Sequence, residues 1–228
     1  MKFAVVTFPG SNCDQDMIDV IKNELHQPVE KLWHKDTSLN NADFVVLPGG
    51  FSYGDYLRSG AIARFSPIME EVINHAKKGG PVLGICNGFQ ILMESGLLDG
   101  ALLHNNNQKF ICKNIWLKTS SKSTPLTKDL SQEKAYKIPI AHGEGRFFAP
   151  ENTIKQILDD DSVLFKYCSE NGEINDNANP NGSLHNIAGI TNKNKNIFGM
   201  MPHPERASSN SLNNSDGLSL FHSLLNNC

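Results

Sequence analysis

The segment Val82-Leu83-Gly84-Ile85-Cys86-Asn87-Gly88-Phe89-Gln90 decides the fold. Its first four residues make an apolar run of strand length, which stops at a cysteine set between two glycines. A strand, a sharp turn and a helix in this order lift the central side chain clear of the backbone. Gly84 and Gly88 relieve the crowding that such a turn creates. The helix opening after Cys86 directs its free N-terminal amides and its positive dipole end at the sulfur, a setting suited to an anion. Cys86 is then a nucleophile. The competing reading is a buried cysteine in an ordinary β-α turn.

The same kind of run recurs on both sides. Phe3 to Thr7 and Ala42 to Leu47 read as buried strands, Val29 to Trp33 as a weaker one, and Asp14 to Glu24 as a helix. Pro67 to Lys78 reads as a helix with Ser66 as N-cap, Pro67 at the first position and Gly79-Gly80 at its end. Alternating strands and helices with near-continuous apolar strands predict an α/β fold: an open, mostly parallel central sheet with helices on both faces. The second half changes character. Phe110 to Lys118, Ala135 to Ile140 and Val163 to Cys168 read as additional, antiparallel strands. Ile197 to Met201 is a strand ended by Pro202, and Gly217 to Leu225 a helix capped by Asp216. Thr119 to Gln132 reads as a surface loop. With 228 residues, no repeat and no linker, residues 1–228 are expected to form one domain.

Composition narrows the partners. A formal net charge of -3 without a basic stripe argues against nucleic acid and anionic membranes. No apolar stretch approaches membrane-spanning length, and the N-terminal run is too short for a secretory signal. Five scattered cysteines without a Cys-x-x-Cys pair fit a reduced, cytoplasmic setting and no zinc motif. Cys13, Cys112, Cys168 and Cys228 read as structural or incidental. There is no phosphate-binding loop, so autonomous ATP chemistry is not expected, and no metal site is indicated.

A cysteine nucleophile needs a base, and the base needs an orienting partner. His203 lies in Met200-Met201-Pro202-His203-Pro204-Glu205-Arg206, just past a buried strand, where parallel-sheet active sites gather. The flanking prolines favour extended backbone, in which residues two apart share a face, so Glu205 can bond the His203 imidazole. The alternative is a proline-stiffened loop with a solvated pair. The Asn87 amide and the Pro48-Gly49-Gly50 turn are candidate donors to an oxyanion, although the turn can also be an ordinary one. His142, in Ala141-His142-Gly143-Glu144-Gly145-Arg146, is either a ligand contact or structural.

Taken together, the elbow, the Pro-Gly-Gly turn and the Pro-His-Pro-Glu segment resemble the class I glutamine amidotransferases, which hydrolyse the side-chain amide of glutamine. More specifically, Leu47 to Ala61, Pro139 to Phe147, Asn179 to Ser183 and Gly199 to Arg206 resemble the glutaminase-subunit family of phosphoribosylformylglycinamidine synthase, nearly end to end. The resemblance implies a flavodoxin-like sheet, Cys86 as nucleophile, His203 as general base and acid, and Glu205 as its orienting carboxylate. It implies oxyanion amides at Gly50 and Asn87, a glutamine contact at Gln90, and substrate-backbone contacts at His142 and Gly143. Related amidotransferases often carry Asn where this chain has Ala141.

The family's ammonia passes to a synthetase subunit that binds ATP and magnesium, usually joined by a small third subunit. No cofactor is expected in this chain. Arg58 and the loop Phe51 to Ser59 are candidates for the synthetase interface, or Arg58 pairs locally with Asp55. Rival readings are an amidotransferase serving another synthetase, a cysteine hydrolase or chaperone-like relative, and a non-catalytic binding subunit.

Overall fold

A computed structural model describes residues 1–228. Strands β1 (Phe3–Thr7), β3 (Phe44–Leu47) and β4 (Val82–Ile85) are buried at every position, as strands covered on both faces must be. β2 (Val29–Trp33) is the edge strand and half exposed. With β11 (Ile197–Met200), these strands lie in the order β2-β1-β3-β4-β11, all parallel. The sheet then continues through β10 (Ile187–Thr191), β9 (Val163–Cys168), β6 (Ile111–Thr119) and β7 (Ala135–His142), each antiparallel to its neighbour. A parallel half carrying the cysteine elbow and an antiparallel extension are the expected architecture. A separate two-stranded sheet pairs β5 (Ala101–His104) with β8 (Glu144–Phe148).

The helices are α1 (Asp14–Asp19), which runs on as a π-helical stretch Val20–Glu24, then α2 (Pro67–Lys77), α3 (Asn87–Glu94), α4 (Glu151–Asp159) and α5 (Leu218–Asn227). One apolar core runs from Phe3 to Leu224, with Phe3, Phe44, Phe89 and Phe198 among its largest fully buried side chains. No helix is long and apolar enough to cross a membrane. The loops after β1, β3, β4 and β11 all leave the C-terminal edge of the parallel strands. Cys13, Gly50, Cys86 and His203 therefore converge from four separate stretches of chain, at the edge where α/β sheets bind ligands.

Several local expectations are corrected. Ser66 is the N-cap residue of α2, but its side chain makes no capping hydrogen bond; its hydroxyl bonds the Tyr53 hydroxyl at 2.9 Å. Asp216 does not cap α5; its carboxylate takes Lys134 Nζ at 2.7 Å and the Lys137 amide at 2.9 Å. Thr119 to Gln132 is irregular but not a surface loop: Leu126 and Leu130 enter the core, and Pro125 accepts the Ser223 hydroxyl of α5 at 2.8 Å. Arg58 does not pair with Asp55. It grips Glu94, at the end of α3, through two bonds of 2.7 and 2.8 Å. The loop after β3 is thereby tied to the helix that carries the nucleophile.

Candidate active site

Cys86 sits between β4 and α3 with φ +51 and ψ -105, a conformation sterically costly for any residue with a Cβ. Its surroundings hold it there. The Cys86 amide bonds the Met200 carbonyl of β11 at 2.8 Å, and the Cys86 carbonyl accepts the Gln90 amide at 3.1 Å. The side chain points into a cavity and is 5% exposed.

His203 follows β11, the strand registered directly against β4 (Gly199 opposite Gly84, Met200 opposite Ile85), so the two loops leave the sheet side by side. Gly49, at the end of β3, makes room: a Cβ there would lie 2.7 Å from His203 Cε1. The extended segment expected around His203 holds only at His203 itself, since Pro204–Ala207 is a short 3-10 helix. The pair forms all the same. His203 Nδ1 and Glu205 Oε1 are 2.7 Å apart, both side chains almost wholly buried. Burial is the strongest single influence against a charge on His203, but Glu205, Cys86 and Cys13 outweigh it and hold the imidazole well above its ordinary titration range. The arrangement favours an imidazolium beside a sulfur nucleophile.

Removing the carboxylate tests this. The imidazolium disappears as pH rises through its raised folded value, and Glu205→Gln lowers that value. The basic limb of the pH–rate profile should shift to lower pH, and kcat should fall by about 10⁴-fold, on the scale set by neutralising the orienting carboxylate of a serine-protease triad. A pH–rate series on the variant reads both effects.

Both turns that hold the candidate oxyanion amides border the nucleophile: Gly50 lines the same cavity as Cys86, and Asn87 follows it in the chain. Gly50 has φ +153, and a Cβ there would lie 2.7 to 2.9 Å from Ser11 Cα, Gly10 O and Asn12 N, so only glycine brings this backbone beside Cys86. Asn87 opens α3, where its amide has no partner within the helix. Its side chain accepts the Ser52 amide at 3.2 Å, locking the loop after Gly50 over the nucleophile.

Cys86 opens into a cavity of about 170 Å³ lined also by Asp55, Ser59, Gln90, His142, Gly143 and Glu144. That is below the roughly 300 Å³ at which pockets for drug-sized ligands begin. Gln90 reaches the cavity with its amide already engaged: Nε2 donates to the Glu144 carbonyl at 2.6 Å, and Oε1 accepts from Asn87 at 2.9 Å. His142 is held by Asn105, whose Oδ1 lies 3.0 Å from Nδ1, and burial together with His203 lowers its pKa to about 4. A neutral His142 leaves His203 as the charged imidazole of the site.

Three residues here were not singled out as candidate site residues from sequence. Asp55 and Glu144 bring two carboxylates into the cavity. Asp55 Oδ1 is buried without a hydrogen-bond partner, and burial, reinforced by Glu144, raises the Asp55 pKa to about 6. Cys13, read as structural or incidental, is not remote. Its sulfur, a nitrogen of His203 and an oxygen of Glu205 lie within 4.8 Å of one another. No local signal marks these residues, because each belongs to a different segment: Cys13 precedes α1, Asp55 lies between β3 and α2, and Glu144 opens β8.

An elbow cysteine on a parallel sheet, facing a buried histidine–glutamate pair, defines a glutamine amidotransferase. Residues 1–222 match the family model of the CobB/CobQ-like glutamine amidotransferase domain. The chain is 54% identical over 219 residues to the phosphoribosylformylglycinamidine synthase subunit PurQ of Synechocystis sp., covering 96% of this chain and 98% of that one. It is 52% identical over 225 residues to the PurQ of Moorella thermoacetica, covering 99% and 95%. A solved structure, PurLQS from Thermotoga maritima, superposes with a TM-score of 0.86 at 39% identity, covering 99% of this chain and 97% of that one. The chain belongs to the PurQ family, the glutaminase subunits of phosphoribosylformylglycinamidine synthase. Membership answers the rival readings of another synthetase's amidotransferase and of a hydrolase or chaperone-like relative.

Proposed function

We propose that this chain hydrolyses glutamine for purine biosynthesis through a γ-glutamyl thioester on Cys86. The Cys86 sulfur attacks the side-chain amide carbon, and the amides of Gly50 and Asn87 take the oxyanion. Collapse breaks the carbon–nitrogen bond, and the departing amide nitrogen takes the proton of the His203 imidazolium and leaves as ammonia. Neutral His203 then removes a proton from water, which attacks the thioester to release glutamate and restore the Cys86 sulfur. Glu205 fixes the imidazole throughout. The observation that carries this reading is the buried His203–Glu205 pair, 2.7 Å apart, beside the strained Cys86. A glutamine-mimicking diazo-ketone should label Cys86 stoichiometrically and stop hydrolysis. A protein that hydrolyses glutamine with Cys86 unlabelled would falsify the assignment.

Asp55 and Glu144 are the residues that take the α-ammonium of glutamine. They are the anionic groups of the nucleophile's cavity, and Asp55 Oδ1 awaits a donor. The sign of the linked effects can be stated. A carboxylate whose folded pKa is raised costs stability once pH passes its unfolded value near 4 and reaches the full cost above its folded value of about 6. Asp55→Asn should therefore stabilise the free subunit at pH 7 by about 1 kcal/mol, discounted for partial exposure. The same substitution should raise the KM for glutamine by about tenfold, the loss of one charged contact. Urea titration and steady-state kinetics on one preparation check both.

The ammonia is used by a partner. PurLQS of Thermotoga maritima is a complex, and the loop between β3 and α2 offers an exposed apolar surface here. Tyr56, Leu57 and Phe65 are 74%, 93% and 74% exposed, a patch that soluble proteins cover with a partner. A synthetase subunit with its ATP and magnesium, and a small third subunit, would dock on this side in the cytoplasm, with no cofactor in this chain itself. The Arg58–Glu94 clamp connects that loop to α3 and so to Cys86.

A further inference from the structure

We infer that Asn105 is a positioning residue for the glutamine site: it fixes the turn from His142 to Gly145 and holds the His142 imidazole as its Nδ1–H tautomer, so that Nε2 is offered to substrate as a hydrogen-bond acceptor. Asn105 follows β5 and is wholly buried. It bonds the chain where β7 of the main sheet gives way to β8 of the small one. Its backbone amide donates to the Gly143 carbonyl at 2.9 Å. Its side chain adds four contacts. Nδ2 donates to the carbonyls of His142 and Lys109, both at 2.8 Å. Oδ1 takes the Gly145 amide at 3.3 Å and lies 3.0 Å from His142 Nδ1.

These partners settle which way the amide points. A carbonyl oxygen only accepts, so the Asn105 nitrogen must face the two carbonyls, and turning the amide over would set oxygen against oxygen twice. Oδ1 is therefore the acceptor, and what it accepts from His142 is the Nδ1 proton. Burial and the charge of His203 lower the His142 pKa to about 4, so near neutral pH the ring carries that proton alone. Nε2 keeps its lone pair; it is buried, and no donor of the chain reaches it. Gly145 makes room for the ring in this pose, since a Cβ there would stand 2.3 Å from His142 Cε1 and 2.4 Å from Nδ1. His142 lines the cavity of Cys86, whereas Asn105 stands behind it. Glutamine carries N–H donors at both of its ends, and a buried acceptor without a donor of its own is the complement of one. The same turn sets the Glu144 carbonyl against Gln90 Nε2 at 2.6 Å, which extends the hold of Asn105 to α3. The tautomer is a property of the chain alone. Its use by substrate rests on the glutaminase reading.

The experiment has two parts. Nitrogen NMR of the full chain with isotopically labelled histidine, near neutral pH and without glutamine, should show His142 protonated at Nδ1 and bare at Nε2, its signals identified by their loss in His142→Gln. Asn105→Leu, close in size and without polar atoms, should abolish that pattern. In the assembled complex the same variant should raise the KM for glutamine by about tenfold, the scale of one hydrogen bond. Its kcat should change by less than about twofold, as expected when binding common to ground and transition states is lost, and ammonia-driven synthesis should be unchanged. A residue that only supports the fold gives the reverse, fewer active molecules and so a lower kcat at unchanged KM. That result, or a wild-type His142 protonated at Nε2, overturns the proposal. Should Asn105→Leu not fold, the wild-type spectrum decides: Nδ1–H supports the proposal and Nε2–H overturns it. If His142 shows the Nδ1–H pattern in a chain whose complex does not use glutamine, the glutaminase reading falls and the hold of Asn105 on the ring stands.

Discussion

Cys86→Ala is expected to lower glutamine hydrolysis by roughly 10⁴-fold or more, the scale on which losing a covalent nucleophile acts. Ammonia-driven synthesis by the assembled complex should survive, because ammonia is the only product this site passes on. The paired measurement is synthesis with glutamine and with an ammonium salt at equal complex concentration. Loss of both activities would mean that Cys86 supports assembly, and retention of both would remove it from the chemistry. The backbone makes a second, independent demand. With φ at +51 and ψ at -105, any residue with a Cβ is strained here, at a cost of order 1–3 kcal/mol. Cys86→Ala keeps that strain; Cys86→Gly relieves it. The glycine variant should be as inactive as the alanine variant yet more stable by about 1 kcal/mol in denaturant titration. A nucleophile held in a costly conformation only to present its sulfur predicts this opposite movement of activity and stability.

Legibility from sequence followed the range of the physical signal. β1, β3, β4 and β11 announce themselves because strands covered on both faces are continuously apolar, and the elbow because a strand, a cysteine and two glycines are adjacent in the chain. His203 and Glu205 were legible through a spacing of two, although the geometry that joins them is a 3-10 turn rather than extended chain. β5 and β8 were missed because Glu-Gly-Arg-Phe-Phe shows no alternation and pairs outside the main sheet. Ser66 holds the N-cap position, but its hydroxyl, like the Asp216 carboxylate, is engaged by a tertiary partner rather than by its own helix. Asp55, Glu144 and Cys13 carried no signal. Their meaning depends on convergence of segments that are 42 to 131 residues apart in the chain.

The largest stability effect should come from a methyl group. At Gly88, the second residue of α3, a Cβ would stand 1.8 Å from the Leu47 carbonyl oxygen, 2.6 Å from the Leu47 carbonyl carbon and 2.9 Å from its Cβ. Leu47 ends β3, between β1 and β4, so its carbonyl cannot retreat without disturbing a central strand. Overpacking where side chains can turn aside costs about 1–3 kcal/mol. Here the obstacle is backbone, and Gly88→Ala should exceed that range, at about 4 kcal/mol, lowering Tm by roughly 10 °C for a chain of this size. Truncating the neighbour distinguishes this cause from side-chain crowding. Leu47→Ala should not rescue Gly88→Ala, because the first contact is the carbonyl and not the leucine side chain. Gly143→Ala is the control: the nearest atom to its Cβ would be Phe110 Cδ2 at 3.9 Å, ordinary contact, so stability should stay within about 0.5 kcal/mol. A tolerated Gly88→Ala would show that α3 can lift away from β3. In that case the close packing of helix on strand could not be what holds Cys86 in its strained turn.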